Sequence, residues 1–290
     1  MRQARPRSLS TEEVIKGISD LPTPSSVLHR VLMAVSDPQG SLERMGKVVA
    51  EDPALTAKTL RLANSPYYGS MNEVRTVEHA VVLLGVRAVK TLALSVTVYN
   101  AFRSGPGIDF DSVTGLWSHF LAVATCSREI AAKSDACDGE VAFTAGLLHD
   151  MGILAFLKAF PTRYQATLAE ATAGDGSLLE LESKYFGVGH QFAGEYLAGV
   201  WKLPEELRRA IGNHHSGHRA IGNGLDGAVY MADRICLQSG FGYTAEFRNG
   251  EPLTAAEVRA VGLSLKQLDD VESHLLKSKD YIEGFLQAIV

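Results

Sequence analysis

The chain has 290 residues, of which 46% are hydrophobic and 21% charged, with a formal net charge of −5. This balance excludes an intrinsically disordered chain and leaves no global basic field to attract nucleic acid or an anionic membrane. The length allows one large domain or two small ones. Three widely spaced cysteines, Cys126, Cys137 and Cys236, form no C-x-x-C pair. A disulfide scaffold or thiolate zinc site is therefore not expected, and reduced thiols in a cytoplasm fit best. The N-terminal arginines are followed by no apolar h-region, and no apolar run reaches about 18 uninterrupted residues, so neither a signal peptide nor a membrane span is expected.

Helix signals recur along the chain and strand signals are nearly absent. Ser10-x-x-Glu13 is a capping box that opens a short helix. Leu21-Pro-Thr-Pro24 breaks it, and Val27, Leu28, Val31, Leu32 and Val35 then repeat at helical spacing up to a turn at Asp37-Pro38-Gln-Gly40. Leu42, Met45, Val48 and Val49 mark an amphipathic helix. Asp52-Pro53 places a cap before a proline at the first helical position of the next, which stops at Asn64-Ser65-Pro66. Thr76 caps a segment that Gly85 ends, and Val86 to Phe102 restart a longer one. Ser104-Gly-Pro-Gly107 is a loop and a candidate boundary.

Asp111 or Ser112 opens a helix to about Ala132, Lys133–Gly139 reads as a polar loop, and Val141–Ala159 reads as one strongly apolar helix ending before Pro161. Ser177-x-x-Glu180 is a second capping box with Gly187 as the stop. His190–Gly199, Pro204–His215 and Leu225–Ser239 read as helices, with a Gly/His-rich loop at Ser216–Gly224 and an irregular stretch at Gly240–Pro252. Thr254-x-x-Glu257 and Ser264-x-x-Gln267 cap the terminal helices. The fold expected is an all-α helical bundle. Its parts are an N-terminal lobe over residues 1–107, a core over 108–240 and C-terminal helices over 241–290.

Polar residues inside apolar helices are the informative ones. His149-Asp150 lies within Val141-Ala-Phe-Thr-Ala-Gly-Leu-Leu-His-Asp-Met-Gly-Ile-Leu-Ala-Phe. A carboxylate there is costly to bury unless a metal ion or a nearby cation neutralises it. Asp233 is flanked by apolar residues in Val229-Tyr-Met-Ala-Asp-Arg-Ile235, His119 lies between Trp117 and Phe120, His190 opens a helix and His214-His215 end one. Each alone reads as an ordinary core or surface residue. Together they form an imidazole and carboxylate set without sulfur, suited to Fe, Mn, Zn or Ni rather than to Cu(I) or an iron–sulfur cluster. Such a set is large enough for two ions sharing one carboxylate, the arrangement that clamps phosphodiesters. No G-x-S-x-G, P-loop or G-x-G-x-x-G is present. Arg87 and Lys90 read as a solvated helix edge, and Glu205, Glu206, Arg208 and Arg209 as an exposed face with i,i+3 and i,i+4 pairs.

The order His119…His149-Asp150…Asp233 resembles the H…HD…D pattern of the HD superfamily of metal-dependent phosphohydrolases. His190 and His214-His215 resemble the extra ligands of its two-metal members, including the HD-GYP cyclic-di-GMP phosphodiesterases. Over roughly Ile18 to Ser239 the chain is similar to the HDOD branch. The matching stretches are Leu21-Pro-Thr-Pro24, Asp52-Pro-Ala-Leu-Thr-Ala-Lys58, Leu62-Ala-Asn-Ser65, Val77–Gly85, Ala142–Asp150, Phe186-Gly-Val-Gly-His190 and Trp201-Lys-Leu-Pro204. The resemblance implies an HD-like core with an N-terminal helical lobe in a cytoplasmic bacterial signalling protein. It implies that His119, His149, Asp150 and Asp233 hold a first ion. Asp150 would then bridge to a second ion on His190, His214 and His215. One or two divalent transition metals follow, iron or manganese first and zinc or nickel second. The implied partners are a signalling protein and a nucleotide or cyclic-dinucleotide ligand. The chain departs from HD-GYP enzymes in carrying Ile153 where they have lysine, and in lacking Gly-Tyr-Pro after the double histidine. The regulatory reading therefore comes first. A metal-dependent phosphohydrolase acting on a nucleotide or cyclic dinucleotide through Asp150 is the alternative.

Overall fold

A computed structural model describes residues 7–21, 42–66, 68, 73–102, 110–135, 137–216, 224–241 and 252–289. All regular structure among the described residues is helical. In chain order the helices are α1 (Thr11–Ser19), α2 (Leu42–Ala50), α3 (Pro53–Ala63), α4 (Val77–Phe102) and α5 (Phe110–Ser134). Then come α6 (Gly139–Leu148), α7 (Met151–Ala159), α8 (Pro161–Ala173), α9 (Leu178–Phe186) and α10 (His190–Val200). The last are α11 (Glu205–Asn213), α12 (Leu225–Gln238), α13 (Ala255–Ala260), α14 (Leu265–Lys277) and α15 (Lys279–Ile289).

The chain divides into two compact units, one of Met1–Thr23 with Gly105–Glu272 and one of Pro24–Ser104 with Ser273–Val290. This division runs differently from the three successive segments read in the sequence. The first helix joins the larger unit because Val14 and Ile18, both fully buried, line the side of α1 that packs on α10 and α7. In the smaller unit α15 packs on α3 and α4, where Ile282, Phe285 and Ile289 are buried.

Capping explains many helix starts. Ser10, Ser177 and Thr254 each accept from the backbone N–H three residues on, while Glu13, Glu180 and Glu257 return the bond. Asp52 accepts from Ala54 and Leu55 ahead of Pro53. Within α4 the helical path breaks at Gly85, where φ is +78° and ψ 162°, the restart expected at that position. Past the break residues 88–99 are buried all round, so Lys90, read as part of a solvated edge, is instead only 7% exposed. Glu205 and Arg208 do pair on the surface, at 3.0 Å. The helix expected over Val27–Val35 and the loops at Asp37–Gly40 and Ser104–Gly107 lie outside the described residues.

Two departures from the sequence reading matter. Pro161, read as a stop, is the first residue of α8, where its missing N–H costs nothing. Val141–Ala159 is not one helix: it breaks between α6 and α7, with Asp150 at φ −98° and ψ 19°. His149-Asp150 thus occupies a junction buried in the larger unit.

Glycines set how closely the core helices approach. A Cβ on Gly146 of α6 would lie 2.9 Å from Ala124 Cα and 2.7 Å from Ser127 Oγ of α5. One on Gly152 of α7 would lie 1.9 Å from the His190 carbonyl oxygen, and one on Gly194 of α10 2.9 Å from Ile211 Cγ2 of α11. Only glycine fits at these crossings, and each draws in a helix that carries a polar residue of the next section or leads directly into one.

Candidate metal centre

The residues His119, His149, Asp150, His190, His214, His215 and Asp233, spread over more than a hundred positions, meet in the interior of the larger unit. All are buried except His215, which is half-buried at the edge. His119 projects from the middle of α5 and Asp233 from the middle of α12. His149 and Asp150 fill the α6–α7 junction, His190 opens α10, and His214-His215 follow α11.

The ring of each fully buried histidine is oriented through Nδ1. His119 Nδ1 lies 2.8 Å from the Phe241 carbonyl oxygen, His149 Nδ1 2.7 Å from that of Gly146, and His214 Nδ1 2.6 Å from that of Ile211. The last two repeat one device: a histidine just past a helix end donates to the carbonyl three residues back, which the ending helix leaves unpaired. His190 differs, with Nδ1 2.8 Å from the buried carboxylate of Glu182, which also accepts the His190 backbone N–H at 2.7 Å. With Nδ1 donating, each neutral ring turns a lone pair on Nε2 toward the centre.

The inward atoms form two groups. In the first, His119 Nε2 lies 3.2 Å from Asp233 Oδ1, and His149 Nε2 lies 3.8 Å from the same oxygen. In the second, His190 Nε2 lies 3.3 Å from His214 Nε2 and 3.0 Å from His215 Nε2. Asp150 faces both. Its Oδ1 is 3.2 Å from His190 Nε2 and 3.0 Å from His214 Nε2, while its Oδ2 is 3.2 Å from His149 Nε2 and 3.7 Å from His119 Nε2.

The electrostatics follow from this crowding. Burial pushes the Asp150 carboxyl up, but the facing His149 and His190 rings outweigh it and hold the group well below the usual carboxylate range. Burial likewise raises Asp233, and the His119 ring that faces it brings it down to about 2. Burial lowers His190, yet the Glu182 and Asp150 carboxylates carry it well above the ordinary histidine value. Burial lowers both His214 and His215, the latter well below its ordinary value with His214 and His190 beside it.

The donor set fits a divalent metal. Imidazole nitrogens that face one another at 3.0–3.3 Å repel when unprotonated, whereas ligands bonded at about 2.0–2.2 Å to one cation stand about 3–4 Å apart. His149 Nε2 and Asp233 Oδ1 are buried with no hydrogen-bond partner among the described residues. Buried polar atoms are otherwise paired.

The seven residues singled out in the sequence are all brought together. His218 lies outside the described residues. Glu182 and Tyr164, whose hydroxyl donates to the other Glu182 oxygen, were not picked out in the sequence. A signal existed: Leu178, Leu181, Glu182 and Phe186 are the buried residues of α9. Their spacing places a glutamate on the apolar stripe of an amphipathic helix.

The HDOD domain family model matches residues 21–217 of this sequence. The chain belongs to the HDOD family. Its fold is shared with an HDOD domain protein of unknown function from Geobacter sulfurreducens, at a TM-score of 0.77 and 23% identity over 97% of each chain. It is also similar to a protein from Marinobacter aquaeolei VT8 provisionally named a signal transduction protein, at a TM-score of 0.79 and 21% identity, covering 96% of this chain and 65% of that one. A protein from Shewanella amazonensis SB2B provisionally named a metal-dependent phosphohydrolase aligns at a TM-score of 0.60 and 19% identity over 97% and 98% of the two chains. At these identities the likeness speaks for the all-helical HDOD fold. A curated relative from Treponema pallidum (strain Nichols), described as uncharacterized, is 27% identical over 208 residues. The match spans 69% of this chain and 38% of that relative.

Proposed function

We propose that this HDOD protein is a regulatory module of bacterial signalling whose buried centre holds two divalent transition metal ions, iron or manganese in preference to zinc or nickel. His119, His149 and Asp233 would hold one ion and His190, His214 and His215 the other, with Asp150 shared. The observation that carries this reading is the split of Asp150, with one oxygen turned to each histidine group at 3.0–3.7 Å. An imidazole and carboxylate shell without sulfur favours these metals.

Two features favour regulation over turnover. Six of the seven side chains are buried, which suits a centre that holds the helices together more than one that exchanges a bulky phosphodiester. Ile153, one turn past Asp150 and fully buried, can neither orient a water nor neutralise phosphate. In this role the metal centre ties α5, the α6–α7 junction, α10, α11 and α12 into one body that a small ligand or protein partner reads.

The second reading is a metal-dependent phosphohydrolase, favoured by the same bridging carboxylate. When bound, such ions supply a Lewis acid and lower the pKa of water toward 7. This chain's part would be to fix the ligands and exclude bulk water. Assaying manganese-loaded protein against a panel of nucleotides and cyclic dinucleotides under reducing conditions separates the two. The regulatory reading expects no turnover. Turnover abolished by Asp150→Ala would establish the hydrolase instead.

A further inference from the structure

Buried behind His190 is a carboxylate that no ligand pattern accounts for. Glu182 and Tyr164 are both fully buried. One Glu182 oxygen takes the Tyr164 hydroxyl, and the other takes both the backbone N–H of His190, at 2.7 Å, and its Nδ1, at 2.8 Å. No lysine or arginine pairs with Glu182 among the described residues. A carboxylate out of water needs a compensating positive charge, and besides the Tyr164 hydroxyl the side chain it faces is the His190 ring, whose far nitrogen points into the second histidine group.

The two groups are otherwise unequal in charge. The first has Asp233 of its own and a share of Asp150. The second has three imidazoles and Asp150. Glu182 corrects the imbalance through the His190 ring rather than by contact with a cation. Hydrogen bonding to a carboxylate makes an imidazole a stronger ligand and fixes its tautomer. The rings of His119, His149 and His214 rest on neutral backbone carbonyls and gain only the orientation.

We infer that Glu182 is a positioning residue and counter-charge specific to the second cation, held in place by Tyr164, and that it sets the affinity of the His190/His214/His215 half without affecting the His119/His149/Asp233 half. This rests on the metal reading of the centre. Glu182→Gln keeps an oxygen to accept from His190 and removes the charge, its NH2 then donating to the Tyr164 hydroxyl in place of the bond that Glu182 accepted. Carboxylate partners of this kind are worth about 10–100-fold in metal affinity.

The test titrates Mn²⁺ into metal-stripped full-length protein. It counts equivalents by elemental analysis and follows the manganese EPR spectrum, with melting of the stripped form as a fold control. Wild type is expected to take two equivalents and show a spin-coupled pair. Glu182→Gln is expected to melt like wild type when stripped and keep its first equivalent. Its second should weaken by about 10–100-fold, with the spectrum of an isolated ion. Equal affinity for both equivalents in Glu182→Gln and wild type overturns the inference, as does equal weakening of both, which is what a merely structural role would give. Should Glu182→Gln not fold, Tyr164→Phe decides: a change confined to the second equivalent supports the inference, and no change or an equal change in both overturns it. Wild type that binds no manganese overturns the metal reading itself, an outcome distinct from a variant that matches a metal-binding wild type.

Discussion

The two halves of the buried centre are built by different means. His119 and Asp233 stand mid-helix on α5 and α12, where the register of a long helix and its packed neighbours fixes a side chain. His190, His214 and His215 stand at helix ends, where position depends on how closely one helix approaches another. That approach is set by Gly152 and Gly194, whose hydrogens fill the space a methyl would need. The first half is therefore mainly a product of helix periodicity, with His149 at the end of α6 the exception, and the second wholly of helix ends and crossings, so the second should fail first when the packing is disturbed.

Asp150→Ala should have the largest effect, because it removes the one ligand both halves use. Elemental analysis of the purified variant should find metal content near zero, and retention of one full equivalent would mean that the halves do not share this carboxylate. Gly152→Ala comes next. Its Cβ would lie 1.9 Å from a backbone oxygen, a clash that side-chain movement cannot relieve. A loss of about 3 kcal/mol is expected, or roughly 6–12 °C in melting temperature, together with selective loss of the ion on the His190 side. Gly146→Ala, whose nearest contact is the Ser127 hydroxyl, should cost less and act on the first half.

A smaller effect is expected where α12 is braced. Glu257 accepts from Tyr230 and Arg234 of α12 and from Thr254 at the start of α13. Burial raises its carboxyl, but the Thr254 hydrogen bonds, with those of Tyr230 and the charge of Arg234, bring it down to about 2. A carboxyl lowered on folding contributes its stability fully above its unfolded value, near 4.3, and loses it as pH falls toward 2. Glu257→Gln should cost about 1.5–3 kcal/mol at neutral pH and flatten the acid limb of the melting temperature between those values. An unchanged acid limb would remove this brace from the account. The smallest effect is expected from Ser177→Ala, which strips the cap of the helix that carries Glu182. About 1 kcal/mol should be lost, with both ions retained.

Most of this was legible in the sequence, for identifiable reasons. Capping boxes and apolar spacing placed the helices because they are local. Chemistry placed the ligands, because an aspartate such as Asp150 or Asp233 among apolar neighbours demands a partner. What escaped depended on context. Pro161 begins a helix as readily as it ends one. The break at His149-Asp150 is invisible to periodicity, since both flanks are apolar throughout. Lys90 sits on a helix buried on every side, which hydropathy alone does not distinguish from an edge. Glu182 lay within a capping-box helix where glutamates usually face water, and only its place on the apolar stripe set it apart.

Elemental analysis of the wild-type protein, purified without added metal and passed through a desalting column, tests the central claim most directly. Close to two equivalents of a divalent transition metal per chain is the result expected, with iron or manganese predominant and a lower melting temperature after chelation. Protein that carries no such metal, takes none up on reconstitution and melts unchanged in chelator would show that these imidazoles and carboxylates serve only one another.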